Sequence, residues 1–187
     1  MSQPEPHSDV AEPLAILRRT PDVLRALLYG LPDSWTDTRD TPDGWLPRDV
    51  VGHLISGELS NYLDRAKRIM EHGTSLAFDP FDRFEMIERD RAATLDELLD
   101  RFAALRAKSL AEFETMVSDV DLTKRGLHPA MGEVTLDQLL NTWAVHDLDH
   151  TVQVFAGLAG SHDADVGPWK QYLGILLRRT DPAAVPG

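Results

Sequence analysis

Apolar residues recur at helical spacing along most of this chain. In the first such segment, about residues 13–29, apolar side chains return every three or four positions, which predicts a helix. Pro21 falls inside it and predicts either a kink or a second start. Pro47 suits the first turn of a second helix, which is predicted to run over about residues 47–72 and to end at Gly73.

Apolar residues also recur at helical spacing in the second half of the chain. A third helical region covers roughly residues 82–118, and Thr94 and Glu97 have the spacing of a capping box, so the region is one long helix with a restart or two helices. Residues 119–134 are rich in turn formers and are predicted to be a connecting loop. A second capping-box pattern begins at Thr135 and opens a fourth helix, which we expect to reach about Ala156.

A last helix is expected at roughly residues 166–179. Long helices with moderate loops predict an all-α fold, an up-and-down four-helix bundle variant with an additional C-terminal helix. The 187 residues suit one domain. We place that domain at residues 12–180, between a disordered N-terminal arm (1–11) and a C-terminal tail (181–187).

Charge and residue usage narrow the function. Acidic residues outnumber Lys plus Arg by 31 to 19, and a formal charge of −12 disfavours binding to nucleic acids or anionic membranes. The absence of cysteine excludes disulfides, thiolate zinc sites and a cysteine nucleophile. No segment has the ~20 apolar residues of a membrane span, and the polar N-terminus does not resemble a signal peptide. We therefore expect a cytoplasmic protein.

Two histidines of the fourth predicted helix have a spacing typical of metal ligands. His146 and His150 are four residues apart, so their side chains lie on one helix face, with Cβ atoms roughly 6 Å apart. His150 falls within the apolar arc of this helix and His146 at its border. Gln153 lies on the polar side of that border, where a partner for a ligating imidazole would sit. The pair predicts a metal site, although such pairs also occur by chance on helix surfaces.

His53, on the second predicted helix, is the third candidate ligand. Its own face holds small and polar residues, which would suit either an open site beside a ligand or a solvent-exposed surface. The helical wheel favours solvent, because Leu54 and Ile55 centre on the far side. Spacing alone leaves both interpretations open.

Several other polar residues suggest further roles without fixing one. Glu58 falls among apolar positions, where an unpaired carboxylate is costly, so we predict a salt bridge to an arginine of helix one or three. The alternative is that Glu58 reaches toward the histidine site. Asp149, Glu58 and His128 are possible proton carriers, but none has a spacing that identifies a general base, and the catalytic residues stay unassigned. Trp45, Trp143 and Trp169 are predicted to be core or pocket-wall residues.

Three segments in a fixed order resemble the DinB/YfiT-like superfamily. They are WLPRDVVGHL at 45–54, TLDQLL at 135–140 and HDLDHTVQ at 146–153. The family is a helical bundle with a lone histidine on helix two and an HxxxH pair on a later helix. The resemblance implies that His53, His146 and His150 bind a divalent metal ion, nickel or zinc being the foremost candidates, with open positions filled by water.

The resemblance implies a class of function and not one reaction. Some members use a low-molecular-weight thiol such as bacillithiol, mycothiol or glutathione as a cosubstrate, and others are presumed hydrolases. We therefore expect a metal-dependent enzyme acting on a small molecule, a thiol S-transferase or a hydrolase, with a slight preference for the transferase. The alternative is a non-catalytic metal-binding or stress-response protein, or a structural bundle whose histidines converge without function. A homodimer is also expected.

Overall fold

The computed structural model describes residues 10–118 and 120–180. Most of the predicted N-terminal arm and all of the predicted tail lie outside the described residues. The elements, in chain order, are α1 (Ala11–Leu28), α2 (Asp33–Thr36), α3 (Pro47–Ser60), α4 (Tyr62–His72), α5 (Glu85–Arg89), α6 (Leu95–Val117), β1 (Arg125–His128), β2 (Gly132–Thr135), α7 (Leu136–Ser161), a 3-10 helix (Gly167–Tyr172) and α8 (Gly174–Thr180).

Four of these helices form the bundle, as the sequence predicted. Helices α1 and α3 each pack against both α6 and α7, so α1 and α3 lie at opposite corners of the bundle. The predicted additional C-terminal helix is α8, which packs on α7. Within the described ranges, no helix is long and apolar enough to cross a membrane.

Two apolar clusters fill the bundle, one toward each end. The first includes Leu17, Phe113 and Trp143, and the second includes Leu54 and Phe102, all of them almost fully buried. Removal of this apolar surface from water is the main force that holds helices of this kind together. A charged layer, described below, separates the two clusters.

The second predicted helix is interrupted. The sequence predicts one helix over residues 47–72, whereas the chain breaks at Asn61, whose backbone angles (φ −127°, ψ −88°) are not helical. A Cβ atom added at Gly57 would lie 3.6 Å from the Tyr62 ring across the break. Gly57, Ser60 and Asn61 around the break are weak helix formers, but none of them ends a helix by itself. Helix α1, in contrast, passes through Pro21 without ending.

The third predicted region is two helices, which was one of the two alternatives. Helix α5 ends at Arg89, and α6 begins after Thr94, whose hydroxyl accepts from the Glu97 N–H while the Glu97 carboxylate accepts from the Thr94 N–H. The last predicted helix, at 166–179, was wrong as a single element, because a 3-10 helix precedes α8.

The predicted connecting loop at 119–134 was wrong, because it contains most of a β-hairpin. Strands β1 and β2 pair antiparallel, with Arg125 opposite Thr135 and His128 opposite Gly132. Gly132 adopts a φ of +80°, which an L side chain would resist, and this allows the chain to turn. Strands of four residues are too short for hydrophobic alternation to distinguish them from a loop.

Candidate metal centre

Three histidines from two helices converge at one point. His146 and His150, one turn apart on α7, bring their Nε2 atoms within 3.1 Å of each other. His53 of α3 brings its Nε2 atom within 3.2 Å of the His146 Nε2. The structure thus places together all three histidines that the resemblance implied as ligands.

His53 does not face solvent, as the helical wheel had suggested. Its side chain is only 5% exposed. The chain segment after α4 covers it, with the Phe81 ring centroid 5.6 Å from the imidazole and the Arg83 carbonyl oxygen 3.4 Å from Nδ1. The Trp45 ring lies on it as well, at 4.7 Å between centroids. The wheel was wrong because it shows only the residues of its own helix, and the covering residues lie outside α3.

Hydrogen bonds at the outer ring nitrogens orient two of the imidazoles. His53 Nδ1 donates to the Arg83 carbonyl, and His150 Nδ1 donates to the Gln153 Oε1 at 2.8 Å. Each of these tautomers leaves an Nε2 lone pair directed at the common point. Gln153 therefore acts as the partner that its place on the wheel suggested. His146 Nδ1 is buried and has no hydrogen-bond partner among the described residues.

Burial keeps the three rings neutral. Desolvation, with a smaller effect from His150, lowers the pKa of His53 from 6.5 to about 4. The same causes, with His53 adding to them, lower the pKa of His146 to about 3. Desolvation also lowers the pKa of His150. At neutral pH all three rings are therefore uncharged, and each keeps one ring nitrogen with a free lone pair.

The donor set fits a divalent metal ion. Three imidazole nitrogens at bond lengths of ~2.0–2.1 Å from a tetrahedral ion stand about 3.3 Å apart, and the observed separations from His146 to His53 and to His150 are close to that value. Nickel, zinc and copper all accept imidazole ligands, so the ligand type does not select one ion. Three ligands from the protein leave coordination positions for water or a substrate.

A buried ionic cluster lies next to the histidines, since it includes Asp147, the residue after His146 on α7. Arg106 of α6 donates from Nε to the Glu58 Oε1 at 2.8 Å, from Nη2 to the Asp147 Oδ1 at 3.0 Å and from Nη1 to the Leu17 carbonyl at 2.9 Å. Trp143 Nε1 also donates to the Glu58 Oε1, at 3.2 Å. This confirms the predicted salt bridge of Glu58 to an arginine of the third helical region. Burial raises the pKa of Glu58, and the Arg106 charge opposes that rise.

The histidines form one wall of a cleft of about 600 Å³, a volume typical of small-molecule sites. Asn61, at the break between α3 and α4, lines this cleft, and its buried Oδ1 has no partner among the described residues. Tyr62 beside it stays a neutral phenol, because burial raises its pKa. The other lining residues are Asp40, Thr41, Asp43, Gly44, Trp45, Phe81, Arg83, Phe84 and Gln153.

The remaining candidates lie elsewhere. His128 sits on β1 against Phe78, with ring centroids 6.1 Å apart, and does not line the cleft. Asp149 lines a neighbouring groove. Of the tryptophans, Trp143 is in the core and Trp45 is a pocket wall, as predicted, whereas Trp169 is 70% exposed, so its prediction was wrong. The sequence interpretation missed Asn61, since nothing local distinguishes it from any other helical asparagine.

The four-helix bundle and the three-histidine group place this chain among helical proteins with a histidine site between two helices. Residues 16–154 match the model of the DinB superfamily, so the chain belongs to that family. The family, the fold and the three-histidine group together support a metal-binding DinB-like protein.

Individual relatives agree with this placement. The chain is 30% identical over 149 residues to the "Putative metal-dependent hydrolase GK0616" of Geobacillus kaustophilus, which covers 78% of this chain and 82% of the relative. The fold of this chain is similar to that of YfiT from Bacillus subtilis, described as "a probable metal-dependent hydrolase with an unusual four-helix bundle topology". The TM-score is 0.70 at 22% identity, and the match covers 88% of this chain and 93% of YfiT. The four-helix bundle protein TT2238 superposes with a TM-score of 0.52, at 23% identity and coverage of 76% and 94%.

Proposed function

We propose that His53, His146 and His150 bind one divalent metal ion, nickel or zinc, and that the chain is a metal-dependent enzyme acting on a small molecule. The observation that carries this proposal is the convergence of three neutral imidazole nitrogens, 3.1 and 3.2 Å apart, on the wall of a substrate-sized cleft. A non-catalytic metal-binding protein would not need such a cleft beside the ion.

Hydrolysis is the reaction that the relatives' names support, and S-transfer from an external low-molecular-weight thiol is the alternative. A divalent ion at this point would supply Lewis acidity and would lower the pKa of a bound water or thiol toward neutrality. Because the chain has no cysteine, any thiol must come from a cosubstrate.

The chain's own residues have distinct parts in this proposal. The Arg83 carbonyl and Gln153 hold two of the imidazoles in the ligating tautomer. The Asn61 amide is placed to hydrogen-bond a polar group of the substrate within the cleft. Trp45 and Phe81 shield the histidines from bulk water. No carboxylate is assigned as a general base.

Metal content, measured by elemental mass spectrometry on tag-free protein, tests the site. We expect near-stoichiometric metal in the wild type after incubation with nickel or zinc, and its loss in His53→Ala and in His150→Ala. His128→Ala is the matched control, because this histidine lies outside the cleft, and it should retain the metal. Retention of metal in His53→Ala would remove that residue from the site, and no metal in any sample would overturn the proposal.

Turnover is tested next on the metal-loaded protein. A panel of activated esters and amides, and a panel of electrophiles offered with glutathione, bacillithiol or mycothiol, separate hydrolysis from S-transfer. Activity in either panel that disappears in His53→Ala would assign the reaction to this site. Metal binding without turnover in both panels would favour the non-catalytic alternative. The expected homodimer and the cytoplasmic location stay predictions, the first of them testable by light scattering.

A further inference from the structure

A second cavity adjoins the metal cleft. It has a volume of about 740 Å³ and lies between α7 and the start of α8. Asp40, Thr41 and Gln153 line both spaces, so the two lie side by side and share part of their walls. Gln153 also holds the imidazole of His150, which places the entrance of this groove next to a proposed metal ligand.

The groove runs along α7 beside the face that carries the ligands, with Gln153 nearest to that face and Val152 and Phe155 farther round the helix. Asp149, Gln153 and Ala156 lie three, seven and ten residues after His146, which keeps them on the same side of α7. At a rise of 1.5 Å per residue, the path from His150 to Ala156 is roughly 9 Å long, about the length of an extended chain of six to eight carbons.

The walls of the groove are apolar. Val152 and Phe155 of α7 and Ile175 of α8 line it, and the first two are 57% and 40% exposed. Exposed apolar side chains gathered in a concave surface mark a site for an apolar ligand. The charged residues in its lining are Asp40 and Asp149, and none of the described lining residues is basic. An anionic group in the groove would therefore be repelled.

From this adjacency and the apolar lining we infer that the groove binds the apolar arm of an elongated substrate whose polar head lies at the metal. The inference rests on the proposed metal site and adds the substrate class: an amphiphilic small molecule with a neutral or cationic arm of about six to eight carbons. A compact polar substrate would fill the metal cleft alone and leave the groove unused.

Hydroxamates of increasing chain length are suitable probes, because the head chelates a metal ion and the tail can be varied. Calorimetric titration of the metal-loaded protein should give a dissociation constant that falls by up to about fourfold for each methylene between acetohydroxamate and octanohydroxamate, the factor for a fully buried methylene. A carboxylate at the far end of the octanoyl chain should cancel most of this gain.

Two variants test the position of the tail. Ala156→Leu should fill the groove and abolish the gain from chain length while acetohydroxamate binds as before. Val152→Ser, at an exposed position that a substitution should not unfold, should reduce the gain. The matched control is Ala111→Leu, which adds the same atoms to an exposed position of α6. None of the described residues of α6 lines the groove, so the chain-length dependence should be unchanged in this variant.

The outcomes separate this inference from the metal site. Affinity independent of chain length, with acetohydroxamate still bound, would overturn the groove alone. An unchanged chain-length gain in Ala156→Leu would overturn it as well. If the gain in affinity with chain length disappears as the protein concentration rises, a second copy of the chain competes with the tail for the groove, and the groove would be assigned to that copy instead. Absence of bound metal would overturn the proposed function and this inference together.

Discussion

Replacement of Arg106 by methionine would leave two carboxylates buried without a counter-charge. The Arg106 side chain is 2% exposed and those of Glu58 and Asp147 are fully buried. Methionine has a comparable volume and no charge, so it removes the guanidinium without opening a large cavity.

The expected loss is large. Arg106 supplies hydrogen bonds to both carboxylates and to the Leu17 carbonyl, and none of these acceptors can reach water in its place. Removal of one partner from a buried ion pair costs about 3–5 kcal/mol, because the remaining charge stays desolvated. Here two carboxylates are affected, so we expect the upper part of this range, a large fraction of the ~5–15 kcal/mol typical of a folded domain.

Urea unfolding of the metal-free protein, monitored by far-ultraviolet circular dichroism, measures this loss. Arg18→Met is the matched control, because Arg18 pairs with Glu114 at the surface, where such a bridge contributes about 0–1 kcal/mol. The deficit of Arg106→Met relative to wild type should shrink at lower pH, since burial already raises the pKa of Glu58 and its protonation removes one of the two charges. Equal stability losses in the two variants would refute this reasoning.

Three further predictions concern the site and one helix end. Burial lowers the pKa of His53 to about 4 and that of His146 to about 3, so below pH 6.5 the unfolded chain binds protons that the folded chain does not bind. The contribution of these histidines to the stability of the metal-free protein should therefore be complete above pH 6.5 and decrease as the pH falls toward 4. Urea titrations should find a weaker pH dependence in His53→Ala. Asn61→Ala should leave the stability unchanged or raise it by up to about 1 kcal/mol, since it removes a buried unpaired oxygen, but should weaken acetohydroxamate binding; a clear stability loss would contradict this. Thr94→Ala should cost about 1 kcal/mol in thermal unfolding through the lost cap of α6, and Thr115→Ala on the exposed face of that helix should cost less.

The parts of the fold that the sequence predicted are those governed by neighbouring residues. The capping boxes at Thr94 and Thr135 marked the starts of α6 and α7, because each depends on residues three positions apart. The pairing of His146 with His150 followed from helical geometry for the same reason. The break at Asn61 was missed because the weak helix formers around it do not by themselves end a helix, and the β-hairpin was missed because its strands have only four residues each.

The site shows the same division. On the helical wheel His53 belongs to a polar face, and His53 is buried because Trp45, Phe81 and the two histidines of α7 pack against it. Glu58 could be assigned an arginine partner in advance, since a buried carboxylate requires one, but the identity of Arg106 required the structure. The resemblance to the family identified His53 as a candidate ligand where helical periodicity gave the opposite indication.

The two helices that supply the histidines are joined by a long stretch of chain, and His53 and His146 are 93 residues apart. An ion bound by both would act as a reversible cross-link that only the folded chain can form. At a free concentration 100 times the dissociation constant, such an ion would add about 2.7 kcal/mol to the stability. Because cellular proteases act on the opened chain, the lifetime of the protein would then increase with the supply of free metal. Its abundance would follow the metal content of the cell even at a constant rate of synthesis.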